Sequence, residues 1–235
     1  MHLEICANSY KSAINAQEAG AHRIELCQEL SVGGITPSYG FLKQVIDTLS
    51  LSVFVLIRPR SGNFVYTDEE FDIMKQNIQL SKNLGCTGIV SGILNKNNSI
   101  DKERTKELIE LSKPLEFTFH RAFDCVPNPF ESLEQLIDLG VDRILTSGLE
   151  TSAEKGIELL KELKEQAKGR ITILPGSGIN PSNAKLYKDA GFSEIHTSAS
   201  KIFVNNNKKS MFDTVQTESD VSTIKTILNI LKNEK

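Results

Sequence analysis

Hydrophobic residues follow helical spacing and strand spacing in turn along this chain, and a repeated phrase marks the change. Four times an amphipathic stretch ends at a glycine, and an isoleucine follows four residues later in a short β-rich run. Glycine has no Cβ and suits the left-handed cap that ends a helix, while the isoleucine run predicts a strand. The four predicted helix-to-strand junctions are Gly20 to Ile24, Gly85 to Ile89, Gly140 to Ile144 and Gly191 to Ile195.

The junctions lie 65, 55 and 51 residues apart, which is long enough for two strand-and-helix units in each interval. Each interval is therefore expected to contain one further strand, and the chain also opens on a strand pattern. These additional predicted strands are residues 2–7, 53–59, 115–120 and 171–176. Together with the four junctions they give eight strands.

Residues that commonly cap helices precede amphipathic stretches in the gaps between the strands. The predicted starts are Ser9 before 10–19, Ser38 before 39–49, Thr67 with Glu70 in capping-box spacing, Asp101, Asn128 with Glu131, Ser152, and Asn180-Pro181, followed by a last helix near 218–232. Eight alternating units in 235 residues predict an α/β fold, a single (β/α)8 TIM barrel spanning residues 1–235 as one domain. The alternative is an open doubly wound sheet, which does not require eight evenly spaced units.

Composition agrees with one enzyme-sized globular domain, with 39% hydrophobic and 24% charged residues. The formal net charge of −3 gives no reason to expect a nucleic-acid or membrane partner. The amino terminus enters a strand directly and no apolar run reaches about 18 residues, so we expect a cytoplasmic protein with reduced cysteines. The polar segment 199–217 is predicted to be a long loop. The sequence leaves open whether the protein is a homo-oligomer.

The strand period of two separates side chains that face the helices from those that face the barrel interior. Leu3, Ile5, Ile24 and Leu26 are aliphatic and share one parity, so we expect them to face the helices. The side chains predicted to face the interior are Glu4, Cys6, Arg23, Glu25, Cys27, Leu56, Arg58, Glu116, Thr118, His120, Arg143, Leu145, Ser147, Glu194, His196 and Ser198. This predicted interior is unusually rich in ionisable groups.

The position of each group along its strand separates two roles. Arg23, Arg143, Glu116 and Glu194 come early in their strands, and we expect them to neutralise one another at the bottom of the barrel. Groups late in the strands belong to the face where TIM barrels place their active sites.

Cys6 and Cys27 each follow a glutamate by two residues on neighbouring strands, which predicts Cα atoms about 5 Å apart. Two thiolates at this distance could chelate a soft ion such as Cu(I). The alternative is that both are small buried hydrophobic residues.

The predicted loops after the last two strands contain Gly176, Gly178 and Ser198, and barrel loops at this position often bind phosphate through backbone N–H groups. Arg58 and Arg60 could add guanidinium donors, which makes these five residues a candidate site for a small anionic metabolite. The alternative is that the glycines are ordinary turn residues.

The segment 119–124 contains His120, Arg121 and Asp124. His120 could exchange protons near neutral pH, with Glu4 or Glu25 as the carboxyl partner, and Asp124 could fix the imidazole tautomer or hold the loop. The alternative is a hydrogen-bond network at the end of a strand.

The chain resembles the CutC copper-homeostasis family over nearly its whole length. The matching motifs are EICANS (4–9), GAHRIELC (20–27), GGITPSYG (33–40), IRPRSGNFVYT (57–67), FHRAFD (119–124), RILTSG (143–148), GSGIN (176–180) and EIHTSAS (194–200). The resemblance implies a (β/α)8 barrel and a cytoplasmic copper-binding protein. It also implies Cu(I) binding, because the cysteines proposed to bind Cu(I) in the family match Cys6 and Cys27.

Two functional hypotheses therefore stand. The first is a copper-homeostasis protein that binds Cu(I) through Cys6 and Cys27. The second is an enzyme acting on a small anionic or phosphorylated metabolite, with His120, Glu25, Glu4 and Asp124 in acid–base roles. A pair of thiols alone would not require so many arginines, histidines and carboxylates.

Overall fold

The protein is an eight-stranded parallel barrel surrounded by helices. The computed structural model describes residues 1–203 and 215–232 of the chain. The barrel strands are β1 (His2–Ala7), β2 (Arg23–Leu26), β3 (Ser52–Leu56), β4 (Gly88–Ser91), β5 (Glu116–Phe119), β6 (Arg143–Thr146), β7 (Thr172–Pro175) and β8 (Glu194–Thr197). The helices are α1 (Tyr10–Ala19), α2 (Tyr39–Thr48), α3 (Asp68–Leu84), α4 (Lys102–Ser112), α5 (Pro129–Asp138), α6 (Ile157–Ala167), α7 (Ala184–Asp189) and α8 (Val221–Lys232).

The strands pair in the order β7-β6-β5-β4-β3-β2-β1-β8. The seam between β7 and β8 is joined by a parallel bridge between Gly176 and His196. A Cβ atom on Gly176 would lie 2.5 Å from the Leu145 side chain, so glycine is needed where this seam comes together. The (β/α)8 prediction is confirmed.

Most of the predicted helix starts are confirmed by hydrogen bonds at the caps. Ser9 accepts from the N–H of Ser12 at 3.1 Å. Thr67 and Glu70 form the reciprocal capping box. The remaining two are Asp101, which accepts from Arg104 N–H at 3.1 Å, and Asn128, which accepts from Glu131 N–H at 3.3 Å.

Three predicted starts differ in detail. Helix α6 begins at Ile157 rather than after Ser152, because Ser152 heads a separate turn closed by the Gly156 N–H on its carbonyl at 3.1 Å. Helix α7 begins at Ala184, because the Asn180 side chain accepts from Ser182 N–H at 2.9 Å and holds the chain in a turn. Ser38 occupies the cap position of α2 without a capping hydrogen bond from its side chain.

The prediction of one long loop over residues 199–217 is wrong at both ends of that segment, where the chain forms strands. Two further strands, β9 (Ser200–Phe203) and β10 (Gln216–Ser219), pair antiparallel outside the barrel. The Ser219 N–H donates to Ser12 Oγ at 3.0 Å, which fixes this pair against α1. Residues 204–214 of the predicted loop lie outside the described residues. Within 1–203 and 215–232, no helix has both the length and the apolar character to cross a membrane.

The barrel wall separates an aliphatic layer from an ionic interior. Leu3, Ile5, Ile24 and Leu26 are all fully buried in the hydrophobic core, as their parity predicts. Inside the lower barrel, the Phe54 ring lies between two guanidinium groups, with Arg23 at 4.9 Å and Arg143 at 5.0 Å from its centroid.

The two arginines are paired with carboxylates, as predicted from their early strand positions. Arg23 forms ion pairs with Glu4 and Glu194. Arg143 pairs with Glu116 at 2.6 Å and lies 3.4 Å from Glu194. The lower interior is therefore charge-compensated, and the aromatic ring fills the space between its two cations.

We predict that Gly88→Ala destabilises the protein by about 1–3 kcal/mol through overpacking. A Cβ on Gly88 would lie 2.5 Å from the Phe54 ring, and that ring cannot shift freely between the two arginines. Denaturant unfolding measures the loss. Gly40→Ala is the control, because nothing lies within 4 Å of its added Cβ in α2, and we expect a gain of up to about 1 kcal/mol. Equal unfolding free energies for wild type and Gly88→Ala would contradict the packing described.

Candidate functional site

A cavity of about 530 Å³ opens at the carboxyl ends of the strands. Its lining includes these residues predicted from the sequence: Cys6, Glu25, Arg58, His120, Asp124, Gly178, His196 and Ser198. Four other predicted site residues are not on the lining, namely Glu4, Cys27, Arg60 and Gly176. The lining also includes apolar residues, among them Leu30, Val32, Phe64 and Ile179.

The register between β1 and β2 differs from the predicted one. Cys6 pairs with Glu25, and Glu4 pairs with Arg23, so the two strands are offset by two residues. The prediction of Cys6 and Cys27 at matching positions is therefore wrong. Strands that close into a barrel must tilt and stagger, and a period-two pattern contains no information about stagger.

The two cysteine side chains nevertheless meet. Cys6 Sγ and Cys27 Sγ are 3.6 Å apart, and both cysteines are free and buried. The hydrogen bond between the two thiols and the burial of the site raise the pKa of Cys6. Phe54, Leu56 and Val90 pack around the pair and form an apolar wall.

A chain of ionisable groups extends from the barrel interior to the cavity. His196 Nδ1 lies 2.7 Å from Glu4 Oε1, and His196 Nε2 lies 3.7 Å from Glu25 Oε2. Because a carboxylate accepts, Nδ1 carries the shared hydrogen and Nε2 faces Glu25. Glu4 is itself paired with Arg23 on its other oxygen.

Burial and charge act in opposite directions on these groups. Burial alone would raise the pKa of Glu4, but the Arg23 charge and the hydrogen bond from His196 outweigh it and lower the pKa to about 2. Burial raises the pKa of Glu25, and the charges of His196 and Arg23 only partly offset it. For His196, burial opposes the charged form, but the hydrogen bond to Glu4 and the charge of Glu25 raise the pKa.

Three of the lining residues could hold a metal ion. One donor atom each from Cys6, Glu25 and His196 lies within 4.8 Å of the other two, and all three residues are buried. Cys27 does not belong to this group of donors.

His120 lies across the cavity from these residues, at the end of β5. Its Nδ1 accepts from the Ala122 N–H at 3.2 Å, which leaves the hydrogen on Nε2. The Nε2 atom is buried and has no hydrogen-bond partner in the described residues. Burial and the nearby Arg58 charge lower the pKa of His120 to about 3. The ring is therefore neutral near pH 7 and presents an N–H donor, so proton exchange near neutral pH would require a different environment.

Arg58 and Arg60, predicted as joint anion ligands, lie in different environments. The Arg58 guanidinium is buried and donates to the carbonyls of Val32, Gly34 and Gly62 at 2.7–2.9 Å. Its Nε is buried without a partner in the described part of the chain. Arg60 instead pairs with Glu70 at 2.5 Å, beside the cap of α3, and is not on the cavity lining.

Asp124 holds a loop. It accepts from Thr146 Oγ1 at 2.5 Å, from Ser147 N–H at 3.0 Å and from Arg121 Nε at 2.7 Å. These bonds fix the 3₁₀ turn Arg121–Cys125 to the end of β6. Of the two roles predicted for Asp124, its contacts correspond to holding the loop.

Phe64 was not identified from the sequence as a residue of the cavity, where its ring contacts His120 and Arg58. Its ring centroid lies 4.9 Å from that of His120 and 5.1 Å from the Arg58 guanidinium carbon. Phe64 belongs to an irregular segment, where strand parity does not apply. The motif IRPRSGNFVYT was the available signal, but a motif does not say which way a loop side chain points.

Comparison with known proteins gives consistent matches. The model of the CutC family matches residues 1–201. The human copper homeostasis protein cutC homolog is 48% identical over 198 residues, which cover 84% of this chain and 72% of that protein. A CutC protein of Bacteroides fragilis is 45% identical and covers 98% of this chain and 96% of its own length. The crystal structure of a CutC protein from Streptococcus agalactiae has a TM-score of 0.79 at 37% identity, and covers 84% of this chain and 98% of that chain.

We predict that Glu4→Gln lowers the free energy of unfolding by roughly 3 kcal/mol at neutral pH. The pKa of Glu4 falls from 4.5 to about 2 on folding, so its carboxylate stabilises the folded state above pH 4.5. This contribution is lost as the pH falls from 4.5 toward 2. Denaturant unfolding at neutral and acidic pH should show the gap between wild type and variant narrowing. Glu18→Gln, at an exposed position of α1, is the control. A gap that stays constant with pH would contradict this account of Glu4.

Proposed function

The chain belongs to the CutC family, and from this premise we propose that it is a copper-homeostasis protein that binds Cu(I) through the thiols of Cys6 and Cys27. The observation that carries the proposal is the separation of 3.6 Å between the two sulfur atoms. Two sulfurs closer than about 4.6 Å can both contact one ion at metal–sulfur distances of about 2.3 Å.

The apolar side of the pair also favours a soft ion of low coordination number. The neighbouring side chains Phe54, Leu56 and Val90 are apolar and offer no oxygen ligands. Soft thiolate ligands select Cu(I) over hard cations. We place this role in the cytoplasm, because all four cysteines are free and a reducing compartment keeps them so.

We predict that Cys6→Ser and Cys27→Ser each weaken Cu(I) binding by at least about 100-fold, because loss of an outer-shell contact alone costs about 10- to 100-fold. Anaerobic competition against a Cu(I) chelator measures the affinity. The matched control is Cys86→Ser, since Cys86 is also buried but lies between α3 and β4. Unchanged affinity in the Cys6→Ser, Cys27→Ser double variant would contradict the proposal.

A second function is supported by the size of the cavity. A volume of about 530 Å³ far exceeds what a single ion fills and falls in the range of small-molecule sites, about 300–1,000 Å³. Two buried N–H donors, His120 Nε2 and Arg58 Nε, lack partners in the described residues. We therefore also propose that the protein is an enzyme that acts on a small anionic or phosphorylated metabolite. Glu25, His120, Gly178 and Ser198, which all line the cavity, would contact the substrate.

We predict that wild type consumes one metabolite of a cell extract that His120→Ala leaves intact, because a positioned acid–base or donor group contributes about 10²- to 10⁴-fold. Untargeted metabolite profiling of extract incubated with each purified protein measures this. The control is Cys27→Ser, which alters a residue behind the cavity wall and should consume the metabolite as wild type does. Identical profiles for wild type and His120→Ala would argue against the enzyme.

A further inference from the structure

Three side chains of different chemistry converge on one place at the cavity wall. They come from neighbouring strands: Cys6 from β1, Glu25 from β2 and His196 from β8. Their donor atoms, one sulfur, one carboxylate oxygen and one imidazole nitrogen, lie within 4.8 Å of one another. All three residues are less than 9% exposed. The offset between β1 and β2 produces this arrangement, because it places Cys6 rather than Glu4 beside Glu25.

The spacing of the donors fits a shared ion better than direct bonding. His196 Nε2 and Glu25 Oε2 are 3.7 Å apart, which is too long for a hydrogen bond. A nitrogen and an oxygen on one tetrahedral zinc ion, with bonds of about 2.0–2.2 Å, lie roughly 3.3–3.6 Å apart, which is close to the observed separation. The two atoms therefore face each other at a distance that one ion could bridge.

The orientation of the imidazole is fixed from behind. His196 Nδ1 donates to Glu4 Oε1 at 2.7 Å, and Glu4 is held in turn by Arg23. In the neutral ring, which is the form that binds a metal ion, the hydrogen on Nδ1 leaves the Nε2 lone pair directed toward Glu25. Metal-bound histidines almost always donate their other ring N–H to a carboxylate in this way, because the contact fixes the tautomer and raises ligand basicity.

One side of the donor group is open. Cys6, Glu25 and His196 all line the cavity, whereas Cys27 does not. The sulfur of Cys6 thus has Cys27 on one side and the cavity donors on the other. Three protein ligands beside an open space are the arrangement of catalytic zinc sites, in which the fourth position takes water or substrate.

We propose that Cys6, Glu25 and His196 form a zinc site whose fourth coordination position opens into the cavity. A mixed set of sulfur, nitrogen and oxygen suits borderline Zn²⁺, whereas Mg²⁺ and Ca²⁺ prefer oxygen ligands alone and Cu(I) prefers thiolates. The fourth position would take water or an oxygen donor of a small molecule in the cavity. This site does not rest on Cu(I) binding at Cys6 and Cys27, although the two share one sulfur.

Metal titration of the purified full-length protein tests the site. Zn²⁺ affinity is measured by competition with a chromophoric chelator, and Co²⁺ is used as a visible probe of thiolate ligation. We expect wild type to bind one Zn²⁺ per chain and to give a Co²⁺ spectrum with a sulfur charge-transfer band. Glu25→Gln and His196→Gln should each weaken Zn²⁺ binding by at least about 100-fold. Glutamine at 196 keeps a donor for Glu4, and thermal melting of each variant checks that it folds.

Parallel measurements separate this site from the Cu(I) pair. Cys27→Ser should lose Cu(I) binding but keep Zn²⁺ affinity within a few-fold, and Glu25→Gln should do the reverse. Glu4→Gln should weaken Zn²⁺ by about 10- to 100-fold, because Glu4 positions the imidazole without touching the ion. Cys86→Ser should change neither affinity.

The zinc proposal is overturned if wild type and Glu25→Gln bind Zn²⁺ equally, or if the Co²⁺ spectrum lacks the sulfur band. It is also overturned if Cys27→Ser abolishes Zn²⁺ binding, because the ion would then belong to the thiol pair. Loss of Cu(I) binding alone leaves these Zn²⁺ results unaffected, so the failure of one proposal can be told from failure of the other.

Discussion

The stagger between β1 and β2 determines which buried groups become neighbours, and much of the chemistry of the barrel depends on it. With the strands in step, Glu4 and Glu25 would lie side by side in a buried environment, and two like charges there are costly. The observed offset places Glu4 against Arg23 and Cys6 against Glu25. One geometric requirement of barrel closure therefore replaces a repulsion with an ion pair and brings a thiol to a carboxyl group.

The interior divides by depth into a lower network of ion pairs and an upper group of polar side chains at the cavity. Below, Arg23 and Arg143 share Glu4, Glu116 and Glu194 around the ring of Phe54. Above, Arg58 is held by neutral carbonyls, and Glu25 faces His196 Nε2 at 3.7 Å. Two atoms at this upper level, Arg58 Nε and His120 Nε2, are buried without partners in the described residues, and such groups cost free energy until they are paired.

Sequence periodicity predicted the barrel, the parity of its side chains and most helix caps, because these depend on local geometry. It could not predict register, since a shift by two residues leaves every side chain on the same face. Cys6 and Cys27 were therefore expected at paired positions of β1 and β2. Their sulfur atoms are still in contact, because the two side chains span the offset between the strands. Arg60 was misjudged for a different reason: the Glu70 that engages it was recognised as a capping residue and not as an ion-pair partner. Loop side chains such as Phe64 have no period and could not be oriented.

His196 serves two structural purposes at once. Its backbone pairs with Gly176 across the seam between β7 and β8, and its side chain lies between Glu4 and Glu25. Any transient parting of that seam would carry the imidazole away from its partners, so the contacts of His196 with Glu4 and Glu25 exist only while the ring of strands is complete. Binding of a ligand in the cavity and local opening of the barrel between β7 and β8 would consequently be linked equilibria. A ligand that contacts His196 would then slow amide hydrogen exchange along β8.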